Sequence, residues 1–126
     1  MLAAKRGVRK LGILATEGAL RAGIYQCALT PLGMDFALPC AETQAEISEL
    51  IYSRIKKSLP AENGVLEKAK SELRVLGCDA AVLGCTELSL VKTEDESFFI
   101  DSLAVLAAAS VRACGYPLSE VGKAFT

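Results

Sequence analysis

Cys85, Thr86 and Glu87 put a thiol, a hydroxyl and a carboxylate on consecutive residues, directly after Gly84. A thiolate can take a proton from a carbon acid, a carboxylate can bind an ammonium, and a hydroxyl can donate to an anionic substrate. The chain holds no histidine, which removes Cys–His and Ser–His nucleophile pairs and the commonest metal ligand. Acid–base work therefore falls to Cys, Asp, Glu, Lys or Tyr. The cysteines are Cys27, Cys40, Cys78, Cys85 and Cys114, an odd number with no C-x-x-C pair. Reduced thiols fit this pattern better than a disulfide framework, and the clustered spacing of a four-cysteine zinc site is missing, so no metal is expected.

What precedes the triplet decides how it is read. Ala80-Ala81-Val82-Leu83-Gly84 has the unbroken small and apolar character of a strand buried inside a parallel sheet. In open α/β sheets ligands bind just past the carboxyl ends of strands. Cys85 then has two readings: a small packed hydrophobe, or a thiolate at a strand-to-loop junction, favoured by nearby helix N–H dipoles. Its position favours the second. Thr86 reads as a helix N-cap or a substrate donor, and Glu87 as a first-turn residue that suits the helix dipole or as an ammonium ligand. Cys27, Cys78 and Cys114 read as packing residues, and Cys40, at another strand end, fits either class.

The elements that must position these residues follow from the rest of the chain. Leu11–Ala15 is a first apolar strand, broken by Thr16-Glu17-Gly18. Leu20, Ile24, Cys27 and Ala28 recur at helical spacing, and that helix ends near Thr30-Pro31. Met34–Leu38 is a second strand. Thr43-Gln44-Ala45-Glu46 has the form of a capping box, followed by one helical stripe of Ile47, Leu50, Ile51, Ile55 and Leu59. A further helix starts at Asn63-Gly64, carries Val65, Ala69, Leu73 and Leu76, and ends at Gly77. The strand Ala80–Gly84 comes third, Phe98-Phe99-Ile100 is the fourth, and Asp101-Ser102 caps an alanine-rich helix over Leu103–Cys114. Alternating strands and helices predict an open four-stranded parallel sheet, ordered 2-1-3-4, with helices on both faces. Its strand ends would bring Thr16-Glu17-Gly18, Pro39-Cys40-Ala41, Cys85-Thr86-Glu87 and Asp101-Ser102 to one edge. Gly18 starts a helix whose free N–H groups would suit a carboxylate or phosphate, whereas Glu17 and Lys56 read as solvated charges.

With 126 residues, 52% of them hydrophobic, and a formal net charge of −1, the chain is one globular domain. Its charge gives no electrostatic case for nucleic acid or an anionic membrane. No apolar run reaches spanning length, and the first residues lack a signal-peptide core, so a cytosolic protein is expected.

At Gly84-Cys85-Thr86-Glu87 the chain resembles the cofactor-independent aspartate/glutamate racemase superfamily. The likeness extends to Leu11–Gly18 with Gly23-Ile24-Tyr25, to Ile51–Lys56 and to Phe99-Ile100-Asp101, which are similar to the second lobe of the aspartate racemase branch. It covers nearly all of residues 8–114. The resemblance implies a domain layout of an interlobe remnant at 1–9, the α/β lobe at 10–116 and a loose tail at 117–126. In such enzymes two lobes face each other across a cleft and each supplies one cysteine. Carried over, Cys85 is the second-lobe acid/base, Thr16, Thr86 and Glu87 line the substrate site with Gly18, and Lys56 lies near a substrate carboxylate. No pyridoxal phosphate or other cofactor is implied. Glu17 departs from the threonine of many relatives and adds negative charge near an anion pocket. The first lobe and its cysteine motif are absent from this sequence.

Racemisation needs proton removal from one face of Cα and delivery to the other, so two opposed groups are required. The expectation is therefore a dicarboxylic amino-acid racemase half that does not turn over alone, and that self-associates through an exposed interlobe face. The alternative is a non-catalytic, flavodoxin-like domain that binds a small anion or a partner, with Cys85 as a packed or redox-sensitive thiol.

Overall fold

The computed structural model describes residues 2–55, 64–91 and 97–124, without the side chains of residues 54, 55 and 90. Strands β1 (Lys10–Leu14), β2 (Asp35–Ala37), β3 (Ala80–Leu83) and β4 (Phe99–Asp101) form one sheet in the order β2-β1-β3-β4. Every pairing is parallel, with Leu11 opposite Phe36 and Ala80, and Val82 opposite Ile100. The predicted order holds, with strand ends shifted by about one residue, the usual scatter of such boundaries. All of β3 and the last four residues of β1 are buried. Covering of both faces explains why these two strands read as unbroken apolar runs rather than alternating ones.

On one face, α4 (Ala41–Glu49), the π-helical turn Leu50–Ile55 and α5 (Gly64–Val75) pack Ile47, Ile51, Leu66 and Leu73 against Leu14, Ala81 and Leu83. Gly12 makes room for α5: a Cβ there would lie 2.4 Å from Leu73 Cδ1 and 3.2 Å from Ala81 Cβ. On the other face, α1 (Leu2–Lys5), α2 (Glu17–Ala22), α3 (Ile24–Leu29) and α6 (Ser102–Ala113) bring Ala3, Ala19, Leu20, Leu29 and Val105 against Leu11, Ile13, Val82 and Ile100. This second face is less complete. Only Ala108 of α6 is buried, and Leu106 is 62% exposed. Asp101 caps α6 as its position predicts, accepting from Leu103 N at 3.0 Å and Ala104 N at 3.2 Å.

Three expectations are corrected. The single helix from Ala19 is two helices, because Gly23 adopts a left-handed conformation, φ 68°, between α2 and α3. The break rotates the stripe, so Ile24, Cys27 and Ala28 are exposed and Cys27 is not a packing residue. The capping box is not used: α4 starts at Ala41 with Cys40 at its N-cap, and Thr43 lies inside the helix, fully buried. The tail is not structureless, since Glu120–Lys123 forms α7, capped by Ser119 Oγ accepting from Gly122 N at 3.1 Å. Among the described residues no helix is long and apolar enough to cross a membrane.

Candidate active site

Parallel pairing sets the ends of all four strands on one rim. Leu14 O accepts from Gly84 N at 2.7 Å, which ties the ends of β1 and β3 together. Gly84 has no Cβ because the Tyr25 ring occupies its place: an added Cβ would stand 2.8 Å from Tyr25 Cε2 and 2.9 Å from Cζ and Oη. The chain then turns into a 3-10 helix, Thr86–Leu90, with Cys85 rather than Thr86 at its N-cap. The geometry thus replaces the expected Thr86 cap, because Cys85 O already accepts from Leu88 N at 3.0 Å.

Cys85 is half-buried, neither walled into the core nor fully open. Its Sγ donates to Glu87 Oε2 at 2.7 Å, and Thr86 Oγ1 donates to the same oxygen at 3.1 Å. One carboxylate oxygen therefore orients both the thiol and the hydroxyl, and the three adjacent side chains form one polar unit. A carboxylate that accepts from S–H can hold or exchange that proton. Tyr25 stands close by: its phenol is pushed above the ordinary tyrosine value, chiefly by burial, opposed by the neighbouring Ser102 hydroxyl and reinforced by the charge of Cys85.

Thr16 lies at the end of β1 and caps α2, its Oγ1 accepting from Ala19 N at 3.3 Å. That bond uses its acceptor and leaves its O–H available as a donor. Gly18 sits exposed in the first turn of α2, one residue inside the helix rather than at its start. Glu17 is exposed and lies 3.9 Å from Arg21 in an i,i+4 pair. Lys56 lies outside the described residues.

The sequence reading missed a second polar cluster on the same rim. At the β2 end, Cys40 Sγ donates to Thr43 Oγ1 at 3.4 Å, Thr43 Oγ1 donates to Glu72 Oε2, and Glu72 Oε1 accepts from Cys40 N at 3.3 Å. The neighbouring Cys40 thiol foremost, then the Thr43 hydroxyl and, more weakly, the Cys40 N–H hold the Glu72 carboxyl below the usual carboxylate range. Beside it the buried Gln44 donates to Ala15 O at 2.7 Å, while its Oε1 has no hydrogen-bond partner. Both are packing consequences of α4 and α5, with no local pattern to announce them. Of the other thiols, Cys78 is buried as expected, whereas Cys114 is exposed at the solvent-facing end of α6. Among the described residues no group of three or more cysteine, aspartate or glutamate side chains is placed to hold a metal ion.

Comparison with known proteins agrees with the fold. Residues 1–110 match the Asp/Glu/Hydantoin racemase family. A Pectobacterium carotovorum protein encoded in the pnlA 3′ region, itself uncharacterised, is 30% identical over 86 residues, 68% of this chain and 57% of that one. A glutamate racemase of Shewanella loihica is 28% identical over 124 residues, 91% of this chain and 45% of that one. The chain thus spans about half the length of the curated relatives it matches. Among solved structures, the aspartate racemase of Picrophilus torridus aligns with a TM-score of 0.69 at 21% identity, over 96% of this chain and 52% of that one. A Yersinia pestis protein described as a candidate Asp/Glu racemase aligns with a TM-score of 0.79, also at 21% identity, over 89% and 51%. At such identities these structures speak for the fold alone, and the family match covers most of the chain. This protein belongs to the Asp/Glu/Hydantoin racemase family.

Proposed function

We propose that this chain supplies one half of an amino-acid racemase site for aspartate, glutamate or a similar substrate, with Cys85 as one of two thiol acid/bases. The observation that carries the reading is the half-buried Cys85 thiol past the end of a central strand, 2.7 Å from Glu87. In the forward direction the Cys85 thiolate takes the Cα proton and becomes a thiol, leaving the electron pair delocalised into the substrate carboxylate. An acid on the opposite face then delivers a proton to Cα, and Glu87 and Thr86 orient the Cys85 side of the exchange. Stabilising the enediolate, without pyridoxal phosphate, falls to hydrogen-bond donors around the carboxylate: the Thr16 hydroxyl, the Thr86 hydroxyl once it turns from Glu87 to the substrate, the N–H groups near Gly18, and Lys56. The opposing acid must come from outside this chain, so the chain alone does not racemise. Self-association belongs to the same reading, since α6 leaves Leu103, Leu106 and Val111 exposed.

The test is protection of Cys85 from alkylation, followed residue by residue by mass spectrometry. Millimolar D- or L-aspartate or glutamate should slow Cys85 and leave the exposed Cys27 and Cys114 unchanged. Equal Cys85 rates with and without these amino acids would overturn the racemase reading and favour a domain that binds some other small anion.

A further inference from the structure

Two peptide groups lead into Cys85, and three of their polar atoms are held from three directions. Ser102 Oγ, on the first residue of α6, donates to Leu83 O at 2.5 Å. Gly84 N donates to Leu14 O at 2.7 Å. Tyr25 Oη, from α3, donates to Gly84 O at 3.1 Å. The sheet ladder stops at Leu83, so the Gly84 carbonyl lies past the point where strand pairing could fix it. Tyr25 takes over there, with its hydroxyl on the carbonyl and its ring against the Cα. Tyr25 and Ser102 both line an apolar cavity of about 320 Å³, together with Leu29, Val82, Ile100 and Val105 among others. In such surroundings water is a poor substitute for a lost partner, so the bonds hold the peptide firmly.

Fixing the Gly84 carbonyl fixes the plane of the Gly84–Cys85 peptide, because that bond does not rotate freely. With φ of Cys85 at −122° and its carbonyl tied to Leu88 N on the other side, the direction of the Cα–Cβ bond follows, and with it the approach of Sγ to Glu87. We propose that Tyr25 is a positioning residue for Cys85: it sets the orientation of the thiol toward Glu87 through the Gly84 peptide, with Ser102 as its support. This rests on Cys85 being the working thiol, but it concerns geometry rather than substrate.

The experiment is a double-mutant cycle on alkylation of Cys85 by iodoacetamide, without ligand, over pH 6 to 10. Glu87→Gln removes negative charge beside the sulfur and should raise the Cys85 rate at neutral pH about tenfold. Tyr25→Phe keeps the ring over Gly84 and deletes only the hydroxyl. It should alter the Cys85 pH profile and shrink the Glu87→Gln effect to about twofold, because the thiol no longer faces residue 87 squarely. Gly84→Ala, which must displace the ring, should do the same with Tyr25 intact. Cys27 and Cys114 serve as internal references. An unchanged tenfold effect in both the Tyr25→Phe and Gly84→Ala backgrounds overturns the positioning role. Failure of amino-acid protection with the cycle intact would instead strike the racemase reading alone.

Discussion

Two cysteines stand past strand ends on the same rim, and each is joined to a threonine and a glutamate, yet the two clusters are built differently. At Cys85 the partners are the next two residues, so a single turn of chain makes the unit. At Cys40 the carboxylate is Glu72, thirty-two residues away on α5, and Thr43 links the two from inside α4. The first cluster is local and half-open, and the second is a tertiary brace between two helices. The brace ties α4 to α5 beside the core, whereas the hydrogen bonds of the Cys85 unit close within one turn of chain. The same three residue types thus form a local turn, the proposed site, in one place and a tertiary packing contact in the other.

That contrast is open to attack from the stability side first. Thr43→Val removes the hydroxyl that bridges Cys40 and Glu72 while keeping the shape of a fully buried side chain. It should cost about 1–3 kcal/mol in urea unfolding, against less than about 0.5 kcal/mol for Thr86→Val on the exposed side of the other cluster. Equal losses would erase the distinction. A next test compares thiol reactivity. Glu87→Gln should change alkylation of Cys85 alone, about tenfold, and Glu72→Gln should leave Cys85 untouched. An effect of Glu72→Gln on Cys85 would mean that the clusters communicate along the rim.

Acid sensitivity gives the smallest effect. The Glu72 carboxyl is lowered by the neighbouring Cys40 thiol and Thr43 hydroxyl, and that of Asp79 by the backbone N–H groups of Arg9 and Lys10. A carboxyl lowered in the folded state adds stability above its unfolded value and loses it as pH falls through the folded one. The urea midpoint should therefore be flat above about pH 5 and decline below about pH 4, and Glu72→Gln should flatten that decline. A midpoint independent of pH down to 3 would remove the brace from the account.

The same distinction governs what could be read from the residues alone. β3, its sudden stop at Gly84 and the polar triplet are contiguous, so hydrophobic patterning finds them. The strand order and the Asp101 cap of α6 were legible for the same reason. The Thr43–Glu46 pattern misled because a threonine hydroxyl can cap a helix or bond a distant carboxylate, and only the packing of α5 chooses. The exposure of Cys27 depended on a left-handed Gly23 that rotates α3 against α2. Tyr25 reads as one more aromatic on a helix, and its hold on Gly84, fifty-nine residues away, exists only once the sheet is assembled.

The central pairing of β1 with β3 has a kinetic consequence. Asp79 captures the backbone amide of Arg9 seventy residues back, and the Leu11–Ala80 register depends on that long closure. Until it happens, β1 offers an unpaired edge of backbone N–H and C=O groups, flanked by Leu11, Ile13 and Leu14, to any neighbouring chain. Non-local parallel pairing of this kind assembles slowly. Recovery from denaturant should therefore suffer at high protein concentration, where encounters between chains outrun the return of the distant strand.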